Sequence, residues 1–278
     1  MIIALFPNEK KRQSFELAAE ICAFLKGRNV AVVAEDEKAA QIGAGAMSKV
    51  NPHDIKFLIA MGGDGTILRL AHRYHHLRAP LLGINLGHLG FLADIPVSDL
   101  IPSLEEFLAG RYLVEERLMI EARGPTPLLA LNDIVFHRGP NYSLIELRIF
   151  SGDTYVNTFT CDGIILATPT GSTAYSLAAG GPILAPDLEA IVVTPICPHT
   201  ISNRPIVLPA DREIRIEYLS DYPALDVRAD GLDAFTLAPN ASTTIRKAAH
   251  TFPLITLPKR EYFSTLRTKL GWSGKPPI

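Results

Sequence analysis

The sequence predicts two folded units of different class: an α/β unit with a parallel sheet, followed by an all-β unit. A helix near the end of the chain returns to the first unit. Three observations carry this prediction. Apolar runs and amphipathic helical stretches alternate as far as about residue 112, the pattern of a parallel sheet with helices on its faces. From 113 to 257 short strand-like runs follow one another with turns between them and almost no helical spacing. Helical spacing then reappears in "YFSTLRTKLGW" within 258–278.

The elements follow in order. "IIALF" at 2–6 is a short apolar run closed by Pro7 and Asn8, which reads as a buried strand. Residues 13–26 place Phe15, Leu17, Ala18, Ile21, Phe24 and Leu25 at helical spacing, and Gly27 ends the helix. "VAVVA" at 30–34 and the run at 55–60 give two more strands, and "LRLAHRYHH" a helix. "PLLGINLGHLGF" at 80–91 reads as a strand and a glycine-rich turn. "VSDLIPSLEEFLAGRY" reads as a helix with Ser98 as N-cap and Gly110 at its end. The alternation makes this half Rossmann-like. Beyond it, "LMIEAR", "LLALNDIVFHR", "LIELRIFSGDTYVNTFTCDGIILATP", "REIRIEYL" and "ALDVRADGLDAF" are the strand runs of a β-sandwich-like unit. Pro125 and Pro127 suggest a loop near the junction.

Composition narrows the function. The chain has 278 residues, 47% hydrophobic and 20% charged, with a formal net charge of -2. That is ordinary for a globular protein with a substantial core, and no basic excess points to nucleic acid. Three cysteines without CxxC spacing give neither a disulfide framework nor a zinc pattern. "MIIALFPNEKKR" is too short and in the wrong order for a signal peptide, and no run reaches the roughly 20 apolar residues that span a bilayer. The expectation is a cytoplasmic protein that works neither on a membrane nor on nucleic acid.

Two stretches carry chemistry. In "FLIAMGGDGTILRLA" an apolar run ends in Gly62, Gly63, Asp64 and Gly65, and a helix follows from about Thr66. Glycines expose backbone N–H groups beside a helix N-terminus, which makes an anion site. Neither GxGxxG nor GxxxxGK[ST] is present. Asp64 could cap the helix, but a cap does not need three flanking glycines. In the functional reading, a Mg²⁺ lies between carboxylate and phosphate, or the carboxylate takes a proton from an attacking hydroxyl. Such a base contributes about 10²–10⁴-fold. Arg69 is placed to reach a phosphate or the Asp64 carboxylate. The second stretch is "CDGIILATPTGSTAYSLAAGGPIL" at 161–184. Small and hydroxyl residues around Thr170, Thr173, Ala174 and Tyr175 suit a flat ring that needs close backbone approach and an aromatic wall. No His accompanies the serines, which disfavours a serine hydrolase. His199 reads as structural, and "HRYHH" at 72–76 as a solvated helix end.

GGDG occurs in diacylglycerol and sphingosine kinases, phosphofructokinases and NAD kinases, so alone it gives a reaction class. The chain resembles NAD kinases in four stretches: "GGDGT" (62–66), "LNDIVFHRG" (131–139), "DGIILATPTGSTAYSLAAGGPI" (162–183) and "PICPHTISNRPIVLP" (195–209). The ending "YFSTLRTKLGWS" resembles bacterial members. The resemblance implies transfer of the γ-phosphoryl of ATP, in some members inorganic polyphosphate, to the 2′-hydroxyl of the adenosine ribose of NAD, with Mg²⁺ and a site between the two domains. By position it implies Asp64 as proton acceptor and Asp64 and Gly65 as substrate contacts. Asn132 and Asp133 would hold ribose hydroxyls and phosphates, and Asp162 the nicotinamide side. Thr173, Ala174, Tyr175, Ser176, Leu177 and Ala178 would form the adenine turn. No fixed protein ligand for the metal is expected, and the family implies a homodimer or homotetramer. The chain departs from the family at Thr160, Cys161 and Leu232, which border the NAD site in other members. A lipid or sugar-phosphate kinase with the same loop, and a nucleotide sensor without catalysis, are the competing readings.

Overall fold

The computed structural model describes residues 1–272 except His88, Asp94, Asn141, Ile201, Asp221, Tyr222 and Arg260. His88 of the glycine-rich turn, Ile201 of the fourth family stretch and residues 273–278 of the returning segment thus lie outside the described residues. The chain forms two compact units, Met1–Glu115 with Pro253–Ile278, and Glu116–Phe252.

The first unit holds β1 (Ile2–Pro7), α1 (Arg12–Lys26), β2 (Ala31–Ala34), α2 (Asp36–Ala39), β3 (Gly45–Ala46), β4 (Ile55–Gly62), α3 (Asp64–Tyr74), β5 (Leu81–Asn85), β6 (Ile95–Pro96), α4 (Leu100–Leu108) and β7 (Leu113–Arg117). The second holds β8 (Ile120–Ala122), β9 (Leu128–Ala130), β10 (Asp133–His137), β11 (Ile145–Ser151), β12 (Thr154–Cys161), β13 (Gly163–Ala167), α5 (Tyr175–Ala178), β14 (Ala190–Ile196), β15 (Ile206–Pro209), β16 (Ile214–Tyr218), β17 (Leu225–Ala229), β18 (Asp233–Leu237) and β19 (Ser242–Lys247). The chain then re-enters the first unit through β20 (Phe252–Thr256) and α6 (Tyr262–Leu270).

The first sheet has the order β3-β2-β1-β4-β5-β20-β7, with β6 beside β5. The pairings from β3 through to β20, and that of β6 with β5, are parallel. β1 is buried along almost its whole length, because helices cover both faces of such a sheet. Helix α1 buries Leu17, Ala18, Ile21, Cys22 and Leu25, a stripe at helical spacing. The order reverses at β1: β2 lies on one side and β4 on the other. Ligands bind at the strand C-termini of such a switch point, and both the Asn8 turn and the GGDG turn leave the sheet there.

Some expectations need correction. Ser98 is not an N-cap: a 3₁₀ turn over Val97–Asp99 precedes α4, and Asp99 takes the cap position. The helix after the glycines begins at Asp64 rather than Thr66. Pro125 and Pro127 lie in the turn between the paired strands β8 and β9, inside the second unit. The compact units divide at 115/116 and 252/253, beside the 112/113 and 257/258 crossings expected from the sequence. β20, whose "FPLIT" is interrupted by a proline, pairs with β5.

The second unit has two six-stranded antiparallel sheets, β15-β14-β13-β10-β17-β18 and β12-β11-β16-β19-β8-β9. Side chains from both, among them Phe136, Ile164, Val227, Leu147 and Ile216, form one core. β13 is buried at all five positions because its other face packs under Leu184 with Val192 and Ile196. The segment around Leu184 is the continuation of the hydroxyl-rich turn, so the fold presses that turn against the sheet. No described helix is long and apolar enough to cross a membrane.

Candidate active site

In the first unit, β4 runs into the GGDG turn and α3. A Cβ on Gly62 would lie 2.2 Å from Thr66 Oγ1, so only glycine lets the strand pass the helix so closely. Thr66 Oγ1 accepts from Asn8 Nδ2 (3.2 Å) and Arg69 Nη2 (3.4 Å). Arg69 therefore turns to Thr66 and makes no ion pair with Asp64. Gly63 and Gly65 have open space where a side chain would stand.

Asp64 does not cap its own helix, whose cap position is Gly63. Its carboxylate reaches across to a second loop. Oδ2 accepts the N–H of Phe91 (2.9 Å), and Oδ1 accepts those of Leu92 and Ala93 (both 3.0 Å). A Cβ on Gly90 would sit 2.1 Å from Asp64 Oδ1. Asn85 braces the same loop, donating from Nδ2 to Ala93 O (2.9 Å) and accepting from Gly87 N (2.7 Å). Phe91 then meets α6 through the Tyr262 ring at 6.0 Å and Lys269 Nζ at 4.5 Å. A carboxylate has about four acceptor positions. Described residues fill three of them, two on Oδ1 and one on Oδ2. Sequence reading found the glycines of 80–91 but not their connection to Asp64; the signal was a second glycine-rich turn after a parallel strand.

Beside this turn lies a cavity of about 360 Å³ at the ends of β1 and β2, lined in part by Asn8, Glu35, Lys38, Thr66, Arg69 and Arg73. Glu35 is 6% exposed. Burial raises its affinity for a proton, but hydrogen bonds from Lys38 and Tyr74 and the charges of Lys38 and Arg73 outweigh it, so the carboxyl is held below its ordinary value. Glu9, Glu35 and Glu37 have oxygens within 4.8 Å of one another. Those of Glu35 are engaged by Lys38, Arg73 and Tyr74, so this cluster is not a ready cation site. "HRYHH" ends α3 as expected, with His75 Nδ1 on the carbonyls of Ala71 and His72. Tyr74, however, is buried against Phe6.

In the second unit a cavity of about 420 Å³ runs along one face of β10 and β17. Alternation puts Asp133, Val135 and His137 of β10 on that face, beside Asp226 and Arg228 of β17. Ala174 and Tyr175 close one side, and Asn132, Asp230 and Gly231 one end. Asp230 organises that end. Its carboxylate accepts three successive N–H groups, from Leu131 (2.9 Å), Asn132 (2.8 Å) and Asp133 (3.0 Å). Its own N–H donates to Asp133 O (2.9 Å). Asp230 and Gly231 both have positive φ, at 50° and 68°, in the tight turn between β17 and β18. Burial, and then the neighbouring Asp230 charge, push the Asp133 carboxyl up to about 7.

The hydroxyl-rich turn spends most of its hydroxyls on hydrogen bonds within the second unit. Thr168 Oγ1 donates to Leu131 O (2.6 Å), and Ser172 Oγ to Pro169 O (2.6 Å). Thr173 Oγ1 donates to Thr170 O (3.2 Å). Ser176 is fully buried, its Oγ 2.8 Å from Thr194 Oγ1, and a Cβ on Gly181 would lie 2.2 Å from that Oγ. Gly171 touches the Asn132 carbonyl so closely that a Cβ would lie 2.0 Å from it. Thr170 Oγ1, by contrast, is buried without a hydrogen-bond partner. Leu177 is half-buried and Ala178 exposed; neither lines the cavity. Asp162 lies beyond the opposite end of β10 from Asn132, next to Gly163, which pairs with His137. It accepts from Arg138 Nε at 2.8 Å. Cys161 fills the core, and burial pushes its thiol up to about 12. Asp226, Arg228, Asp230 and His137 were missed as site residues, although period-2 alternation in "ALDVRADG" and "NDIVFHR" marks them as one face.

Comparison with known proteins agrees along the whole chain. Residues 3–112 match the ATP-NAD kinase N-terminal domain, and residues 131–257 the ATP-NAD kinase C-terminal domain. The chain is 52% identical over 279 residues to the NAD kinase of Protochlamydia amoebophila, covering 100% of both. It is 38% identical to that of Moorella thermoacetica, covering 98% of this chain and 90% of the relative. Among solved structures, yeast NADH kinase complexed with NADH is similar with a TM-score of 0.87 at 25% identity, over 100% of this chain and 89% of that one. The Archaeoglobus fulgidus NAD kinase in complex with ATP gives a TM-score of 0.80 at 26% identity, over 99% and 100%. With both domains matched in order and close relatives matched end to end, this chain belongs to the ATP-NAD kinase family.

Proposed function

We propose the following division of labour for a chain that acts as an NAD kinase, phosphorylating NAD to NADP with ATP. The 2′-hydroxyl of the adenosine ribose meets Asp64 at Oδ2. The hydroxyl oxygen forms a bond to the γ-phosphorus, the bridging P–O bond to the β-phosphate breaks, ADP leaves, and the hydroxyl proton passes to Asp64. The clasp of Phe91, Leu92 and Ala93 N–H groups holds that carboxylate in one orientation, which is what a positioned base requires. Gly62, Gly63, Gly65 and Thr66 leave room for phosphate over the α3 N-terminus. Asn132 and Asp133 hold a ribose diol, and Tyr175 and Ala174 flank the adenine. Asp162, paired with Arg138, serves the nicotinamide side.

The carboxylates around the GGDG turn are engaged by backbone N–H groups or by cations, so Mg²⁺ fits as a companion of the nucleotide phosphates rather than an ion on fixed protein ligands. When bound it supplies charge neutralisation between the phosphates. A cytoplasmic homodimer or homotetramer completes the proposal.

The observation that carries this reading is the GGDGT carboxylate clasped by a second loop, in a chain whose other unit holds the Asn132–Asp133 end of a cavity. The test is incubation with ATP, Mg²⁺ and NAD, coupled to an NADP-specific dehydrogenase. Signal is expected from the wild type, none without ATP, and a kcat lower by at least about 10²-fold in Asp64→Asn. Normal turnover by that variant would remove Asp64 from the role. Phosphorylation of sphingosine or diacylglycerol instead would favour the lipid-kinase reading.

A further inference from the structure

Two of the three cysteines meet in the folded second unit, although β13, α5 and β14 separate them in sequence. Cys161 ends β12, and Cys197 directly follows β14. β13 and β14 run antiparallel, with Gly163 opposite Ile196. Two more backbone hydrogen bonds extend that pairing: Asp162 N donates to Ile196 O at 3.0 Å, and His199 N to Thr160 O at 2.9 Å. Between these bonds one segment has a single residue, Cys161, and the other has two, Cys197 and Pro198. Two residues opposing one is a β-bulge. Cys197 takes the left-handed conformation at φ 45°, which is uncommon outside glycine and marks the first position of one bulge type. Opposed residues at such a point of an antiparallel ladder lie about 4.5 Å apart at Cα, and a disulfide spans about 4.4–6.8 Å, which leaves about 2 Å for the bulge.

The two thiols are free and differ in access: Cys197 is exposed and Cys161 is buried. Burial is the main reason that the Cys161 thiol is pushed up to about 12; a backbone hydrogen bond from Gly163 opposes it, and the charges of Asp162 and then Cys197 add to it, so the two thiols are within electrostatic reach. A buried thiol by itself is inert. Beside an exposed one it is placed to take over a bond that the exposed thiol has formed. Asp162 stands at the same point. Its N–H makes one of the two bonds that frame the cysteines, and its carboxylate accepts from Arg138 Nε at 2.8 Å.

We propose that Cys161 and Cys197 form a reversible disulfide across the bulge, and that closing it displaces Asp162. The effect on activity rests on the kinase reading above, in which Asp162 serves NAD. A small-molecule disulfide is the oxidant. The Cys197 thiolate attacks one of its sulfurs, a mixed disulfide forms, and one small thiolate leaves. Cys161 then gives up its proton and attacks Cys197 Sγ, and the second small thiolate leaves. Two protein thiols are oxidised, one small disulfide is reduced, and the two protons end on the released thiols. The Cβ atoms of a disulfide lie about 3.5–4.5 Å apart. Drawing a buried and an exposed side chain to that distance moves the backbone that carries them, and Asp162 is the next residue.

The experiment treats the folded full chain with oxidised glutathione, then unfolds it and alkylates it with iodoacetamide. Oxidised wild type should carry the label on Cys22 alone, and protein reduced with dithiothreitol on all three cysteines. Cleavage after Glu189 separates Cys161 from Cys197 in sequence, so the two fragments should stay joined until reduced. In the oxidised wild type KM for NAD should rise about threefold to tenfold, the worth of one hydrogen bond, while KM for ATP stays within about twofold. Dithiothreitol should restore it, and Cys197→Ser should show neither the joined fragments nor the rise. Fragments that separate without reductant, including a Cys197 left carrying glutathione, would overturn the disulfide. Joined fragments with unchanged KM for NAD would overturn the displacement of Asp162, and so would an equal rise in oxidised Cys197→Ser. Absence of NADP formation by the wild type would overturn the kinase reading, while the fragments still decide whether the bond forms.

Discussion

Asp133 gives the most quantitative test of how the second unit is built. Its carboxyl is 6% exposed, and burial and the Asp230 charge raise it to about 7. In the unfolded chain an aspartate ionises near 3.9. Between these values the folded protein holds a proton that the unfolded chain has released. Stability from this residue is therefore greatest at low pH, falls as pH rises from about 4 to 7, and is level above. The interval of about three pH units, at about 1.4 kcal/mol each, comes to roughly 4 kcal/mol. Asp133→Asn keeps the shape and cannot ionise. Relative to the wild type it should gain stability from pH 5 to about 7 and then hold level to pH 8. The assay is urea denaturation of both ligand-free proteins across that range, following the transition of the second unit. At about 2–4 °C per kcal/mol, thermal scans should show the same divergence as a difference in Tm that grows by several degrees. Parallel pH profiles for the two proteins would refute the reasoning, since they would mean that Asp133 ionises alike in both states.

Three further outcomes follow from the geometry. Gly90→Ala places a methyl 2.1 Å from Asp64 Oδ1, so it should loosen the clasp and lower kcat, with a stability cost of about 1–3 kcal/mol; a crystal-clear case against the clasp would be wild-type kcat in this variant. Asp230→Ala removes the acceptor of three backbone N–H groups. It should raise KM for NAD and cost at least about 2 kcal/mol in urea unfolding, and an unchanged KM would detach Asp230 from the ribose end of the cavity. Tyr175 is 44% exposed, so Tyr175→Ala should raise KM for NAD while shifting Tm little; a large loss of Tm with KM unchanged would make it a packing residue.

Much of the fold was legible because each element stated itself locally. Apolar runs such as "IIALF" and "GIILA" mark strands buried on both faces, and the spacing of Leu17, Ile21 and Leu25 marks a helix. The strands not identified are β3, β6, β7, β14, β15, β19 and β20; β3 and β6 are only two residues long, and Pro96, Pro195, Pro209 and Pro253 lie within four of the seven. Proline usually argues against a strand, and only the pairing partners show that it is tolerated there. Ser98 illustrates the limit for caps. Its residue type was right, but the 3₁₀ turn before α4 moved the boundary by one residue.

What the sequence determined by itself was the family, the reaction class and the glycine turn that presents Asp64, because these depend on contiguous residue types. Tertiary structure decided what Asp64 touches, that Asp230 shapes the Asn132–Asp133 end, and that Ser176 serves the core. It also decided that Glu35 holds Lys38 and Arg73 at a cavity wall. Each of these joins residues from separate strands or loops, most of them tens of residues apart in the chain. A carboxylate's partners are set by which loop the sheet order brings within 3 Å of it, and that order is a property of the packed whole rather than of any local stretch.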